Sequence, residues 1–414
     1  MSRKAPTRIL LLACLPMMAS ALLTAAMMAA PVYAALSFQQ VEFENQEPVY
    51  TFGEQMLFTG VIHSSLPVIE AQLFMQGTGL PDTIVLPVEI DAQGNTSATL
   101  DLSLSPFRAF SELHYWYRAV LQDGLTLTSP QYTLLYADNR YAWQQLQDDQ
   151  FTVHWYAGEV SFAQEVLNVA NTGALNWRNF LNIPPPGRTE IYVYDSVVAM
   201  QSALQTPAQE WVAGHADPDL GAALVSLPPG PEQHLEMERQ IPHELMHISV
   251  YYALGPAYTN LPAWLNEGLA SLAELYPNPD YPGLLENAYR SGGLLPFSSL
   301  CRSYPAETDQ ALVAYAQSAS LTRYIFDQYG PGAIEEMLAY LLQGKDCQEV
   351  VEAALGSSLV QLENRWRQDT FTEQAWRGAL ANLLPWAVVL ILVLGGPVLL
   401  MLGMIRRKPA GMEA

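Results

Sequence analysis

Basic residues are scarce in this sequence, which has 19 Lys and Arg against 41 Asp and Glu and a formal net charge of −22. Six of the basic residues lie in the first 34 and the last nine positions, so the rest has 13 basic and 40 acidic residues and a formal charge near −27. Such a chain repels polyanions, which argues against nucleic acids and anionic lipid surfaces as partners. Basic or neutral substrates are compatible with this charge, and so is a charge that only serves solubility.

Cysteine is scarce as well, and no CxxC pair occurs, so the sequence offers no thiolate metal site of the common spacing. The three cysteines are Cys14, Cys301 and Cys347. Cys14 lies in an amino-terminal apolar segment that is expected to be removed. The remaining two form an even pair, which predicts a Cys301–Cys347 disulfide in an oxidising compartment.

Residues 1–34 are typical of a secretory signal peptide, which points to that compartment. Arg3, Lys4 and Arg8 form a basic start, an apolar stretch follows, and "VYA" ends at Ala34 as a cleavage site. An uncleaved membrane anchor is an alternative interpretation, and so is a lipoprotein site at the "LLAC" that ends at Cys14.

Residues 383–405 contain no charged side chain, and a helix of this length crosses roughly 30 Å of hydrocarbon. Arg406, Arg407 and Lys408 follow directly, which favours a cytoplasmic tail at 406–414. The two ends together predict a single-pass protein of the cell membrane. Its amino-terminal ectodomain would be extracytoplasmic, and the membrane would be a partner through the C-terminal helix.

Residues 36–137 read as short, often alternating strands separated by Gly, Pro, Asp and Asn turns, which predicts a β-sandwich of the immunoglobulin or fibronectin III kind. The run Tyr115–Tyr117 is either a binding face or a strand whose side chains alternate between core and surface. The second interpretation is favoured, because neighbouring strand residues point to opposite faces.

Residues 140–378 combine strands first and helices after, which is typical of an α+β domain. The strand "GAALVSL" at Gly221–Leu227 is a candidate edge strand for an extended peptide, and a plain core strand is the alternative.

The segment "HELMH" holds His243, Glu244 and His247. A helix advances about 100° per residue, so the two imidazoles lie one turn apart on one face and can bind one ion. Glu244 points aside, where it can reach a water molecule. This is the HExxH pattern, and catalytic zinc takes a third protein ligand from a neighbouring element.

"LPAWLNEGLASLAE" supplies that ligand as Glu267, on a helix that Pro262 starts. The break at Gly255 and Pro256 lets the second helix fold back beside the first. Glu274, seven residues after Glu267, lies on the same face and can accept a hydrogen bond from a ligand histidine. The alternative is a purely structural role, in which two buried helices pack together and the histidines are hydrogen-bonded without a metal.

These segments resemble the gluzincin branch of the zincin metallopeptidases, and most of all the bacterial peptidase MA-like domains. "YAQSASLTRYIFDQYG" at Tyr315–Gly330 and "ALGSSLVQLENRWR" ending at Arg367 also fit, and the resemblance covers about residues 142–376. It implies a zincin-like (thermolysin-like) fold for 140–378 and one Zn²⁺ per chain. It also implies His243, His247 and Glu267 as ligands and Glu244 as general base.

The sequence departs from that pattern in three places. Pro242 directly precedes His243, so the helix is expected to begin or kink at the site. The spacing from His247 to Glu267 is one residue longer than in the related aminopeptidases. No GxMEN-like segment precedes the site, which argues against an aminopeptidase and favours an endopeptidase acting on a peptide or protein substrate, or a hydrolase of another kind.

Tyr315 is the candidate donor to the oxyanion that develops during hydrolysis, and Tyr251 and Tyr252 are weaker candidates. His215 and His234 have no partner at ligand spacing. They either approach the cleft or lie in solvated loops, and the second interpretation is favoured. The alternative to an enzyme is a catalytically idle scaffold whose sandwich binds a partner.

Overall fold

The computed structural model describes residues 41–103, 107–183, 187–204 and 214–371, together with Leu383 and Trp386. Its amino-terminal part is rich in strands and its second part is an α+β domain.

The strands up to Tyr136 form two antiparallel five-stranded sheets, with the orders β1-β3-β7-β6 and β10-β8-β4-β5. β2 pairs with β3, and β9 pairs with β8. The two sheets bury one face each because the side chains of their strands alternate. In β8, Tyr115 and Tyr117 are buried, whereas Trp116 between them lies on the other face, stacked on Phe74. The ten strands are β1 (Glu42–Asn45), β2 (Val49–Thr51), β3 (Gln55–His63), β4 (Val68–Gly77), β5 (Ile84–Pro87), β6 (Glu89–Ile90), β7 (Asn95–Asp101), β8 (Ser111–Leu121), β9 (Thr126–Thr128) and β10 (Tyr132–Tyr136).

A third sheet has the order β11-β12-β13-β15-β14. β12, β13 and β15 are parallel, and the two outer strands are antiparallel to their neighbours. The prediction of an edge strand at Gly221–Leu227 is wrong: β15 lies inside the sheet and all five of its residues are buried, as a continuous apolar run favours. The two strands with a partner on one side only, among the described residues, are β11 and β14. The strands are β11 (Gln144–Gln147), β12 (Phe151–Trp155), β13 (Thr189–Tyr194), β14 (Gly214–Asp217) and β15 (Ala222–Ser226).

Helices cover one face of the third sheet and share a large apolar core with it. Residues 359–371 are helical as well, and 3₁₀ turns occur at Gly255–Asn260 and Phe297–Cys301. A disulfide joins Cys301 to Cys347, which is the first residue of the helix Cys347–Leu355. The helices are α1 (Val160–Arg178), α2 (Val197–Leu204), α3 (Gln233–Leu254), α4 (Ala263–Ala273), α5 (Tyr281–Ser291), α6 (Thr308–Tyr329), α7 (Pro331–Leu342) and α8 (Cys347–Leu355).

The sandwich packs on the opposite face of the third sheet. Tyr192 and Tyr194 of β13 and Leu224 of β15 belong to the same buried cluster as the sandwich core. Phe110 of the sandwich stacks on Tyr192 with ring centroids 3.5 Å apart. Since alternate residues of a strand face opposite sides, β13 contributes to both cores.

The fold class predicted from the sequence is wrong in its last element, and the predicted membrane location is contradicted with it. No helix among the described residues is long and apolar enough to cross a membrane. The longest of them, α3 and α6, have 22 residues each, but both carry charged side chains. The segments 1–34, 383–405 and 406–414 lie outside the described residues, apart from Leu383 and Trp386.

Candidate metal centre

The HExxH segment lies in the buried half of α3. From Ile241 to Val250 every residue is buried except His243, which is partly exposed at the floor of a cleft. The imidazoles of His243 and His247 lie on the same face, with ring centroids 5.1 Å apart. Gly255, at a φ of 51° that favours glycine, ends α3 and lets the chain fold back into α4.

Pro242 leaves one carbonyl oxygen of α3 free to bind the chain just after α4. Helix α3 begins at Gln233, nine residues earlier than Pro242, so of the two expected alternatives, a start or a kink at the proline, the start is wrong. Because proline has no N–H, the carbonyl oxygen of Glu238 loses its partner within the helix. That oxygen accepts a hydrogen bond of 2.9 Å from the backbone N–H of Leu275. Glu274, the preceding residue, is thereby placed beside His243.

The structure brings His243, His247 and Glu267 together. Oε2 of Glu267 lies 3.4 Å from Nε2 of His243 and 3.6 Å from Nε2 of His247. All three ligand atoms lie within 4.8 Å of one another. Zinc with ligand distances of about 2.1 Å in tetrahedral geometry requires ligand atoms about 3.4 Å apart. The donor set and its spacing therefore fit a zinc ion.

The other ring nitrogen of each histidine already has an acceptor. Nδ1 of His243 donates to Oε1 of Glu274 at 2.9 Å, and Nδ1 of His247 donates to Oδ1 of Asn266 at 3.1 Å. With the proton on Nδ1, each Nε2 presents its lone pair towards the cluster. The helical spacing in the sequence indicated Glu274 but not Asn266, although Asn266 stands directly before Glu267.

The electrostatics favour positive charge in the cluster. Burial alone would lower the pKa of His243, but hydrogen bonds with Glu267 and Glu274 raise it well above the ordinary value. Burial also lowers the pKa of His247, but the charge and hydrogen bond of Glu267 together with the charge of Glu244 outweigh it, so this pKa is raised as well. Although burial opposes it, the nearby imidazoles lower the pKa of Glu267. A site that stabilises imidazolium in this way also stabilises a dication.

Glu244 lies under strand β14. Its side chain is buried, and a Cβ added to Gly214 would lie 2.9 Å from Cδ of Glu244 and 3.0 Å from Cγ, with Oε1 closer still. The carboxylate therefore rests against bare backbone of the edge strand. Both residues line a cleft of about 510 Å³ that also contains the three candidate ligands.

Three tyrosines, Tyr258, Tyr281 and Tyr315, line this cleft. Tyr315 of α6 lines it, and its ring packs edge-on against Tyr304. Burial, together with the charges of Glu267 and Glu244, raises the pKa of Tyr315, so its hydroxyl keeps its proton and can donate. Tyr258 and Tyr281 line the cleft as well, and no pattern in the sequence indicated them. Tyr251 and Tyr252 do not line the cleft in the described part of the chain.

The expectation that His215 and His234 lie in loops is wrong. His215 belongs to strand β14 and lines the cleft, while its Nε2 lies 3.5 Å from Asp217. His234 is in the first turn of α3, where it pairs with Glu165 at the surface. Neither residue is part of the three-residue cluster.

The third sheet, the helix pair and the site between them have the make-up of a peptidase domain. Residues 182–372 match the model of a family described as the Peptidase MA superfamily, a match that covers less than half of the chain. The chain therefore contains a peptidase-like domain in this region. No curated protein matches the chain.

Solved structures give weaker similarities. An aminopeptidase N family protein from Idiomarina loihiensis is 9% identical over 81% of this chain and 71% of its own, with a TM-score of 0.32. OgpA from Akkermansia muciniphila is 19% identical over 24% of this chain and 28% of its own, with a TM-score of 0.20. A family 56 carbohydrate-binding module, a β-1,3-glucan binding domain, is 13% identical over 22% of this chain and 98% of its own, with a TM-score of 0.17. The chain thus spans little more than a quarter of OgpA, and identities and TM-scores this low give no basis for a function.

Proposed function

We propose that this protein is a zinc-dependent metallopeptidase of the gluzincin type that cleaves internal peptide bonds. The observation that carries the proposal is the convergence of Nε2 of His243, Nε2 of His247 and Oε2 of Glu267 within 4.8 Å. Glu244 lies beside them in the same cleft. Two imidazoles and one carboxylate with a neighbouring free carboxylate form the donor set of catalytic rather than structural zinc sites.

A bound zinc ion supplies a Lewis acid and lowers the pKa of a coordinated water to about 7. His243, His247 and Glu267 would hold the ion, and Glu274 and Asn266 would keep both imidazoles in the Nδ1–H tautomer. Glu244 would take a proton from the attacking water and deliver it to the leaving amine. The contact with Gly214 fixes where its carboxylate can lie.

The hydroxyl of Tyr315 is our proposed donor to the oxyanion. Tyr315 lines the cleft from α6, and its raised pKa keeps the hydroxyl protonated. A neutral hydroxyl in a site that excludes much of the solvent stabilises developing negative charge without a proton transfer of its own.

The charges in the cleft favour an endopeptidase. An aminopeptidase needs an unpaired carboxylate to bind the free amine of its substrate. Glu236, which lines the cleft, pairs with Arg239 at 3.2 Å and accepts a hydrogen bond from Gln240. Glu267 and Glu274 are engaged with the histidines. Among the described residues lining the cleft, Glu244 is thus the one carboxylate left, and it is needed as the base.

The decisive experiment combines metal analysis with cleavage of a diverse peptide library. We expect one zinc per chain in the wild type and in Glu244→Gln, and loss of zinc in His243→Ala. Cleavage is expected in the wild type alone, because Glu244→Gln keeps the ligands but removes the base. An undiminished cleavage rate in Glu244→Gln would refute the assignment of the base. Zinc binding without any cleavage by the wild type would favour the idle scaffold.

A further inference from the structure

Strand β14 forms one wall of the cleft and is attached to the third sheet on one side only. It pairs with β15 from Gly214–Val225 to Asp217–Ala222. Its Gly214 and Ala216 line the cleft, and Gly214 touches Glu244. A small displacement of this strand would therefore move the surface against which the proposed base rests.

The other face of β14 points to the sandwich. Asp217 stands opposite Ala222, which is part of the sandwich-side core. Paired residues of neighbouring strands share a face, so the side chain of Asp217 faces the sandwich. The strand thus has the base on one side and the amino-terminal sandwich on the other.

One sandwich residue binds this strand at its end. Arg108, in the segment between β7 and β8, donates from its guanidinium to Asp217 Oδ1 at 2.9 Å. The same group donates to Oδ1 and Oδ2 of Asp219, in the turn after β14, at 2.8 and 2.6 Å. A further bond, of 3.2 Å, goes to the carbonyl oxygen of Thr78 in the sandwich. Both carboxylates at the end of the β14–β15 hairpin are therefore bound to one residue of the other domain.

These contacts are partly shielded from solvent. Asp217 is buried, and the side chains of Arg108 and Asp219 are about one-third exposed, at 33% and 31%. Hydrogen bonds with Asp219 raise the pKa of Arg108, and the pKa of Asp219 is lowered in return. A bidentate guanidinium–carboxylate pair in such surroundings fixes orientation as well as distance.

We propose that Arg108 is a positioning residue for the cleft, through which the sandwich holds strand β14 against Glu244. The inference rests on the proposed peptidase function. It gives the sandwich a role that does not require a partner, because the sandwich completes the catalytic cleft by fixing its outer wall.

The test compares Arg108→Met with the matched variant Arg118→Met. Arg118 is an exposed sandwich residue that contacts Gln72 and Phe74 of the same sheet. In Arg108→Met we expect kcat to fall by about tenfold or more, because a misplaced base slows the chemical step. Zinc content should stay at the wild-type value. Arg118→Met should have the kcat and the zinc content of the wild type.

Hydrogen exchange measured by mass spectrometry gives a readout that does not depend on activity. The hairpin 214–226 should exchange faster in Arg108→Met, while α4, which carries Glu267, should not change. The double variant Arg108→Asp with Asp219→Arg should restore part of the activity lost in Arg108→Asp, since the ion pair is re-formed with reversed charges. If Arg108→Met does not fold, Asp219→Asn tests the same contact and should show smaller changes in the same direction.

The outcomes separate the two proposals. A wild type that cleaves no peptide refutes the proposed function, and the exchange measurement still decides whether Arg108 holds the hairpin. An active wild type with equal kcat in Arg108→Met and Arg118→Met overturns this inference. A lower kcat in Arg108→Met without faster exchange of the hairpin overturns it too, because Arg108 would then affect kcat without holding strand β14.

Discussion

The contact between Gly214 and Glu244 provides the sharpest test of the proposed chemistry. In Gly214→Ala the new methyl carbon would lie 2.9 Å from Cδ and 3.0 Å from Cγ of Glu244, whereas ordinary carbon contacts begin at 3.4 Å. The backbone at Gly214 does not have the positive φ that alanine avoids. The substitution therefore acts through space at the carboxylate rather than through backbone strain.

The size of the effect follows from these distances. Relief of the overlap requires the carboxylate, or the strand, to retreat by about half an ångström to 1 Å. A displacement of about 1 Å in a catalytic group costs on the order of 100-fold in rate, which corresponds to about 2.7 kcal/mol of transition-state stabilisation. Because the end of a glutamate side chain is flexible, the free energy of unfolding should change by less than about 1 kcal/mol.

The assay measures kcat/KM, zinc content and thermal unfolding for Gly214→Ala and for Gly230→Ala. A Cβ at Gly230 meets no atom within 4 Å, so this variant is the matched control. We expect a loss of activity of about 100-fold in Gly214→Ala alone, with zinc retained in both variants. Wild-type kcat/KM in Gly214→Ala would refute the placement of Glu244 as the base.

The other predictions concern the groups around the cluster. Tyr315→Phe should lower kcat by about 100-fold or more with little change in KM, because the hydroxyl acts on the oxyanion and not on the bound substrate; an equal loss in Tyr258→Phe would assign the donor role to both tyrosines. Glu274→Ala should weaken zinc binding by about 10- to 100-fold, as measured against a chelator, because the Nδ1 proton of His243 loses its acceptor. Zinc affinity should fall as the pH is lowered. The pKa values of both histidine ligands are raised above the ordinary histidine value of about 6.5, so protons compete with zinc for the imidazoles at a higher pH than usual. A zinc affinity that does not change with pH would contradict this reasoning.

The local patterns of the sequence predicted the parts of the site that helical geometry controls. His243 and His247 had to share a face, since four residues make about one turn. Glu274 had to lie on the same side as Glu267, seven residues before it. The alternation in β8 likewise predicted that neighbours in the run Tyr115–Tyr117 face opposite sides, and the structure buries Tyr115 and Tyr117 but not Trp116.

Predictions from the sequence were wrong where contacts between elements distant in the chain determine the structure. "GAALVSL" was interpreted as an edge strand, but the order of strands in a sheet depends on all of them, and β14 takes the edge. Pro242 was expected at a helix start, whereas a hydrogen bond from Leu275 compensates for it inside α3. His215 was assigned to a loop because four residues, Gly214–Asp217, give too short a pattern to indicate a strand.

The sequence by itself determined the chemistry of this protein's candidate site. The identity of the donor atoms and their spacing along two helices follow from residue type and from the helical repeat, which are local properties. Only the tertiary structure decided the surroundings of those atoms. Asn266 behind His247, Gly214 against Glu244, and Arg108 across the domain boundary come together through packing between elements that are distant in the chain, and no local pattern encodes such contacts.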